Sequence, residues 1–332
     1  MKIIDIHTHT FPEKIARSAV EKLSATSHTH AFSDGTNDGL MNSMKDAGIM
    51  LSVLQPVATK PEQVLHINDG AIKLNAQCEN VINSPQKETS LSDAAITKRE
   101  TIISLGKTQP NFDGAITTNN SQYAIISFGA IHPDFEDYAC ELARISEAGV
   151  KGVKIHPVYQ GVNIDDERFV RILACAGELG LIVMLHAGFD IGFPGNDFAH
   201  PKRILRALKS AGAGSMRIIL AHMGGWRCWH EAQEIFAGRD NIYIDTAFSH
   251  GKFVPNGDGY YSSSEECMML NDEEFVNVIK SFGAERVLFG TDSPWASQSE
   301  YVKKFCELSA LSEREKDLIL YGNSAELLGL NV

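Results

Sequence analysis

The chain lacks the long apolar runs, closely paired cysteines and basic excess that mark several classes of protein. None of its apolar runs is long enough to span a membrane. Its 6 cysteines are scattered, as expected of free thiols in a reducing compartment. A formal charge of -12 argues against a broad nucleic-acid surface, because phosphate binding requires a basic face. We therefore expect no membrane partner and no nucleic-acid partner.

The composition is that of an ordinary soluble globular protein. Hydrophobic residues make up 43% and charged residues 22% of the 332 residues, so a large core can form. The opening sequence, from Met1 to Asp5, meets charged residues too early for a signal peptide. We expect a cytoplasmic location.

Short apolar segments alternate with helix-like segments along most of the chain. Eight of them predict strands, at Ile3 to His9, Ile49 to Val57, Ala124 to Ile131, Gly152 to His156, Leu181 to His186, Arg217 to His222, Asn241 to Asp245 and Arg286 to Asp292. Strands that alternate with helices favour right-handed crossovers and a parallel sheet. Eight such units predict an α/β protein of the TIM (β/α)8 barrel type. An open doubly wound sheet is the alternative, but no glycine-rich phosphate loop follows the first strand.

Three other stretches carry predictions of their own. Residues Ser84 to Gln122 are rich in polar side chains, with Phe112 as their only aromatic, and have too little apolar surface to fold alone. We expect this stretch to be an insertion between strands 2 and 3 that distorts a single barrel domain spanning 1–332. Ser24 to Asn37 predicts a loop, and Ser312 to Leu328 predicts one closing helix.

Polar side chains fall at the C-terminal ends of the predicted strands. His7 and His9 end the first strand, where alternation places them on the same face as Asp5. The corresponding residues of later strands are Lys154, His156, His186, His222 and Asp292. In a barrel these ends face one mouth, where active sites are built. A single histidine at a strand end is more often structural, but five histidines and an aspartate at one mouth predict a metal centre.

Five motifs in sequence order resemble the amidohydrolase superfamily, and within it the amidohydrolase-2 group. They are Asp5-Ile-His-Thr-His9, Gly152-Val-Lys-Ile-His-Pro157, His186-Ala-Gly188, His222-Met-Gly-Gly225 and Gly290-Thr-Asp-Ser-Pro-Trp295. That group includes aminocarboxymuconate-semialdehyde decarboxylase, resorcylate-type decarboxylases and related hydrolases. The resemblance covers nearly the whole chain except the stretch from Ser84 to Gln122.

The resemblance implies that His7, His9, His186 and Asp292 hold one divalent ion, with His222 as the catalytic histidine beside it. Three imidazoles and a carboxylate suit Zn²⁺, our first expectation, and also Mn²⁺, Fe²⁺ or Co²⁺. A bound divalent ion acidifies water toward neutral pH. Asp292 is also a candidate base, and His222 a candidate for proton transfer.

Four residues are candidate substrate ligands: Lys154, His156, Arg227 and Trp295. Some superfamily members carboxylate a lysine on the strand of Lys154 to bridge two metals. Because the amidohydrolase-2 pattern is mononuclear, we favour a charge that binds a substrate carboxylate or pairs with a neighbour. Asp5, deeper than His7 on the same face, is expected to support the ligands rather than bind metal. His28 and His30 repeat the His-x-His spacing in a polar loop and are expected to be exposed.

Two reactions suit this set of residues. We predict first a hydrolase of an ester, lactone or amide of a small organic molecule. A non-oxidative carboxy-lyase of a carboxylated aromatic or muconate-like substrate is the close alternative, and a metal-binding barrel without catalysis is a lesser one. The expected partner is a small-molecule substrate, with an anionic substrate and a homodimer both left open.

Overall fold

A ring of short, parallel, buried strands occupies the centre of the molecule. The computed structural model describes residues 1–82, 123–212, 214 and 216–330. Within them the strands are β1 (Ile4–Thr8), β2 (Leu51–Leu54), β3 (Ala124–Ser127), β4 (Gly129–Ala130), β5 (Gly152–Ile155), β6 (Ile182–Leu185), β7 (Ile218–Leu220), β8 (Ile242–Asp245) and β9 (Val287–Leu288). Every one lies inside a segment predicted to be a strand.

The strands follow one another around the ring in chain order. One sheet has the order β1-β2-β3 and the other runs from β4 to β9, with all pairs parallel. β3 and β4 are two parts of one predicted strand, separated at Phe128, so the nine strands fill eight positions. The first and last positions are neighbours, because Ile6 N–H donates to Phe289 O at 2.9 Å and His9 N–H donates to Ser293 O at 2.7 Å. The TIM barrel prediction is confirmed.

Helices surround the ring. In the described part of the chain they are α1 (Glu13–Ser27), α2 (Asn37–Ala47), α3 (Val64–Ile82), α4 (Tyr138–Glu147), α5 (Pro157–Gln160), α6 (Glu167–Glu178), α7 (Pro201–Ser210), α8 (Trp229–Phe236), α9 (Asp272–Phe282), α10 (Gln298–Cys306), α11 (Glu313–Asp317) and α12 (Asn323–Leu328). Single 3₁₀ turns span Pro61–Gln63 and Ala284–Arg286. Many of these helices begin after a residue whose side chain accepts a hydrogen bond from a main-chain N–H of the first turn. Asn271 does so for α9 and Ser312 for α11.

One helix boundary differs from the prediction, and one predicted helix is found with an irregular turn. The loop predicted from Ser24 is helical to Ser27, whose Oγ donates to Leu23 O at 2.9 Å. α1 ends only where His28 adopts a left-handed φ of 57°. The helix predicted from Ser312 is present, with a π-helical turn at Leu318–Gly322 between α11 and α12.

Both sides of the strands are buried in apolar clusters. Along β6, Val183 and Leu185 belong to one cluster, and Ile182 and Met184 belong to the other. This alternation explains the continuous apolar runs in the sequence, which are typical of strands covered on both faces. None of the helices described is long and apolar enough to cross a membrane. The predicted insertion, Ser84 to Gln122, lies outside the described residues, and the single domain 1–332 stays a prediction.

Candidate active site

A cavity of about 410 Å³ opens at the C-terminal ends of the strands. All but one of the predicted metal, catalytic and substrate-binding residues line it, namely His7, His9, Lys154, His156, His186, His222, Asp292 and Trp295. The exception is Arg227. The expectation that the polar residues at the C-terminal ends of the strands face one mouth of the barrel therefore agrees with the position of the cavity.

His7, His9 and Asp292 form a compact group on neighbouring strands. Asp292 Oδ1 lies 3.0 Å from His9 Nε2 and 3.5 Å from His7 Nε2. Asp292 has a left-handed φ of 69°, and its N–H donates to His7 O at 2.8 Å. Because this main-chain bond locks the last strand against the first, the carboxylate is held beside both imidazoles. Two imidazoles and a carboxylate oxygen at this spacing are a suitable donor set for a divalent ion.

Asp245, at the end of β8, orients the ring of His7. Its Oδ2 lies 2.8 Å from His7 Nδ1, so this ring nitrogen carries a proton and donates it. The other nitrogen, Nε2, keeps its lone pair and faces the group around Asp292. The sequence analysis missed Asp245, although it ends a predicted strand in the same way as the histidines do. Burial raises the pKa of Asp245 to about 6.

His186 and His222 present two lone pairs to each other. His222 Nδ1 lies 3.0 Å from Ala247 O, and His186 Nε2 lies 3.3 Å from Phe189 O. A carbonyl oxygen only accepts, so these two nitrogens carry the protons. The remaining atoms, His222 Nε2 and His186 Nδ1, are 3.1 Å apart and both have lone pairs.

Two facing lone pairs require a proton or a cation between them or beside them. Burial lowers the pKa of His186 well below its ordinary value, and the neighbouring His156 and His222 lower it further. A proton between His186 Nδ1 and His222 Nε2 is therefore disfavoured, and these two nitrogen donors fit a divalent cation instead. The predicted ligands His7, His9, His186 and Asp292 are all present around the cavity, with the described lone pairs of His7 and His186 directed inward.

A second group on the cavity wall consists of stacked rings. His156 lies parallel to His186, at 3.9 Å between ring centroids and 15° between planes, and to Tyr159 at 4.0 Å. Asp190 Oδ2 lies 3.5 Å from His156 Nε2 and 3.8 Å from His186 Nε2. Tyr159 and Asp190 were missed in the sequence because they follow the strand ends, in a four-residue helix and a loop, where no periodic pattern marks them.

Lys154 is buried at the base of the cavity. Its Nζ lies 3.2 Å from His7 Nε2. Burial lowers the pKa of Lys154 to about 8, against the opposing charges of Asp245, Asp292 and Asp190. The lysine is thus placed among the site residues themselves.

Arg227 does not line the cavity, and its role as a substrate ligand stays a prediction. Its φ of 61° is left-handed and follows the sharp turn after His222. The guanidinium instead lies over the ring of Trp226 at 4.7 Å and donates to Glu266 O at 3.3 Å. Trp226 lines the cavity, so Arg227 contacts only the outer side of its wall.

Asp5 supports the site from below, as its depth on β1 predicted. It accepts hydrogen bonds from the main-chain N–H groups of His7 at 3.2 Å and Thr291 at 3.0 Å. The hydroxyl of Thr291 and the amide of Gln298 donate to its second oxygen, at 2.6 and 2.7 Å. Burial raises the pKa of Asp5 to about 7. Asp5 therefore joins β1 to the turn that carries Asp292.

His28 and His30, the second His-x-His pair, lie outside the lining of the cavity. His30 is exposed, as predicted, whereas His28 is half-buried. His28 Nδ1 lies 2.7 Å from Asp258 Oδ2, and its ring stacks on Tyr260 at 3.7 Å.

Comparison of the sequence with models of known protein families gives one match. The model of the family described as amidohydrolase matches residues 4–330. No curated protein sequence matches the chain.

Solved structures share the fold over almost the whole chain. An uncharacterized TIM-barrel protein from Bordetella bronchiseptica is 15% identical, covers 99% of this chain and 99% of its own, and has a TM-score of 0.65. A 2,6-dihydroxybenzoate decarboxylase complexed with 2,6-dihydroxybenzoate is 15% identical, with coverages of 99% and 100% and a TM-score of 0.61. A putative 2-pyrone-4,6-dicarboxylic acid hydrolase from Pseudomonas putida is 17% identical, with coverages of 99% and 98% and a TM-score of 0.57. At these identities the similarity shows the fold alone.

Proposed function

The chain belongs to the amidohydrolase family, and from that premise we propose that it is a metal-dependent hydrolase of a small organic molecule. The family depends on a metal and includes both hydrolases and decarboxylases. The bond to be cleaved is an ester, lactone or amide. Zn²⁺ is the ion we propose, with Mn²⁺, Fe²⁺ and Co²⁺ as alternatives.

The scarcity of cationic side chains in the cavity is the observation that favours hydrolysis over decarboxylation. Among the described residues that line the cavity, Lys154 is the only lysine or arginine, and the negative charges of Asp245, Asp292 and Asp190 partly offset its own. A carboxy-lyase must hold an ionised carboxylate, for which a cation whose charge is not already offset is best suited. The outer walls are formed by apolar side chains such as Phe11, Leu23, Phe248 and Trp295. A cavity of this kind favours an uncharged acyl group.

The site residues have separate tasks in hydrolysis. His7, His9, His186 and Asp292 would hold the ion, which when bound would acidify water and polarise a carbonyl group. Asp292 would accept the proton of the attacking water, because its carboxylate lies at the ligand cluster. His222 would take up that proton at Nε2 and pass it to the oxygen or nitrogen that leaves when its bond to the acyl carbon breaks, since its Nδ1 proton is committed to Ala247 O at 3.0 Å.

A carboxy-lyase that acts on a carboxylated aromatic or muconate-like substrate is the second candidate. Lys154 is the observation that favours it, because a substrate carboxylate entering the cavity would meet its ammonium beside His7, at 3.2 Å from Nε2. The decarboxylase named above shares the fold, which is compatible with this reaction but does not select it.

A parallel substrate screen distinguishes the two reactions. The Zn²⁺-loaded protein is tested on lactones, esters and amides, and on carboxylated phenols and muconates, with acid production and CO₂ release measured separately. We expect hydrolysis that is lost in Asp292→Asn and kept in Asp272→Asn, a control carboxylate outside the cavity lining. Release of CO₂ without hydrolysis of any acyl substrate would reject the hydrolase.

A further inference from the structure

We infer that Asp245 is a positioning residue that selects the metal-binding tautomer of His7 and, with the same carboxylate, fixes the main chain of His222. The inference rests on the proposed metal-dependent function. Asp245 ends β8, whereas His7 belongs to β1 and His222 follows β7. One buried side chain therefore links a proposed metal ligand to the proposed proton relay.

The two oxygens of Asp245 have different partners. Oδ1 accepts the main-chain N–H groups of His222 at 2.8 Å and Ala247 at 3.1 Å. Oδ2 lies 2.8 Å from His7 Nδ1. Asp245 is 0% exposed, so solvent does not compete for either oxygen. Since two main-chain donors occupy Oδ1, the carboxylate presents Oδ2 to the ring of His7.

The bond to Oδ2 decides which nitrogen of His7 can bind an ion. A proton on Nδ1 leaves the lone pair on Nε2, the atom that lies 3.5 Å from Asp292 Oδ1. The other tautomer would direct an N–H group at the ligand cluster and could not coordinate. A carboxylate behind a ligating imidazole also raises the basicity of that ligand.

The bonds to Oδ1 hold an unusual turn. His222 and Met223 have left-handed φ values of 60° and 57°, which are costly for residues other than glycine. The N–H of His222 is bound by Asp245 Oδ1, and the N–H of Met223 donates to the main-chain oxygen of Asp245 at 2.7 Å. These two hydrogen bonds to Asp245 hold the turn in the conformation that directs His222 toward the cavity.

The variant Asp245→Asn tests the tautomer directly. If its oxygen keeps the two main-chain donors, the new NH₂ group faces His7 Nδ1 and donates to it, so the ring proton moves to Nε2. We expect metal affinity to fall about 10- to 100-fold, measured by competition with a chromophoric chelator at fixed pH. The visible spectrum of the Co²⁺-loaded variant should change as well. Asp272→Asn, which breaks the 2.8 Å His250–Asp272 pair outside the cavity lining, should change neither.

Two results would overturn the inference. One is a folded Asp245→Asn protein whose Zn²⁺ affinity and Co²⁺ spectrum equal those of the unmodified chain. The other needs no variant: ¹⁵N spectra of the metal-free protein should show His7 protonated at Nδ1, and protonation at Nε2 would refute the assignment. Neither readout depends on turnover. A protein with this tautomer and affinity that hydrolyses no acyl substrate would reject the hydrolase while leaving the role of Asp245 intact.

Discussion

Two groups of two histidines and one aspartate face the same cavity, yet their rings are arranged for different chemistry. In the first, His7 and His9 meet at 63° between ring planes, and both Nε2 atoms approach Asp292 Oδ1, at 3.5 and 3.0 Å. In the second, His156 and His186 stack with 15° between planes beside Asp190. His186 directs its Nδ1 toward His222 at 3.1 Å, whereas His156 Nδ1 accepts the Tyr159 N–H at 3.4 Å, so His186 alone of the stacked pair is left with a lone pair that faces the proposed metal site.

The hydrogen bonds behind the rings produce this difference. Asp245 binds His7 from behind and leaves Nε2 free to face the cavity. His156 caps α5 instead, with Nδ1 accepting the Tyr159 N–H at 3.4 Å, which lays its ring flat against Tyr159. Residue types alone therefore do not identify a metal site, and the partners on the far side of each imidazole must be known.

Replacing one histidine from each group should give the largest contrast. His9→Asn removes a converging ligand and is expected to lower metal affinity on the order of 100-fold or more, whereas His156→Asn should change it by less than about threefold. Elemental analysis after gel filtration, together with chelator competition, measures both. Equal losses in the two variants would show that His156 also binds the ion.

Removing the ring of Tyr159 should produce the next largest effect, on stability rather than on metal binding. Tyr159→Leu deletes the stacking partner of His156 and is expected to cost about 1–3 kcal/mol of unfolding free energy. The matched control is Tyr260→Leu, which removes a ring stacked on His28 at 3.7 Å but is 58% exposed, and should cost less than about 0.5 kcal/mol. Urea denaturation of the metal-free proteins gives both values. A loss of metal affinity in Tyr159→Leu would contradict this expectation and would show that the stack on His156 also holds the proposed ligand His186 in place.

The smallest expected effect concerns His250, which forms a histidine–aspartate pair outside both groups. Burial lowers the pKa of His250 below its ordinary value of 6.5, and Lys304 adds to this, although Asp272 opposes it. Because the unfolded chain then binds more protons, the free energy of unfolding should fall as pH drops below about 6.5. His250→Phe, which keeps a ring against Phe275, should make that fall shallower in urea titrations across this range. An unchanged or steeper pH dependence would show that His250 is not the titrating group.

The barrel and the position of its active site were predictable from the sequence because they depend on periodic burial. Continuous apolar runs marked the eight strands, and the polar residue after each run marked the mouth. Asp245 obeys the same rule, since it ends the seventh predicted strand, but an aspartate at a strand end is a weaker sign of a metal site than a histidine is. The side-chain directions of Asp190 and Arg227 could not be predicted from the sequence. That of Asp190 depends on an irregular loop and that of Arg227 on a left-handed φ, and neither leaves a repeating pattern in the sequence.

The hydrogen bond between Asp5 and Thr291 joins residues 286 positions apart, and this distance affects how the protein must be made. A growing polypeptide displays His7 and His9 long before Asp292 has been synthesised. Closing so long a loop carries a large entropic cost, which the accumulated contacts of the intervening strands must offset first. The proposed ligand set would therefore be complete only after the barrel has closed. An ion held by these residues would connect the earliest part of the chain to one of the latest.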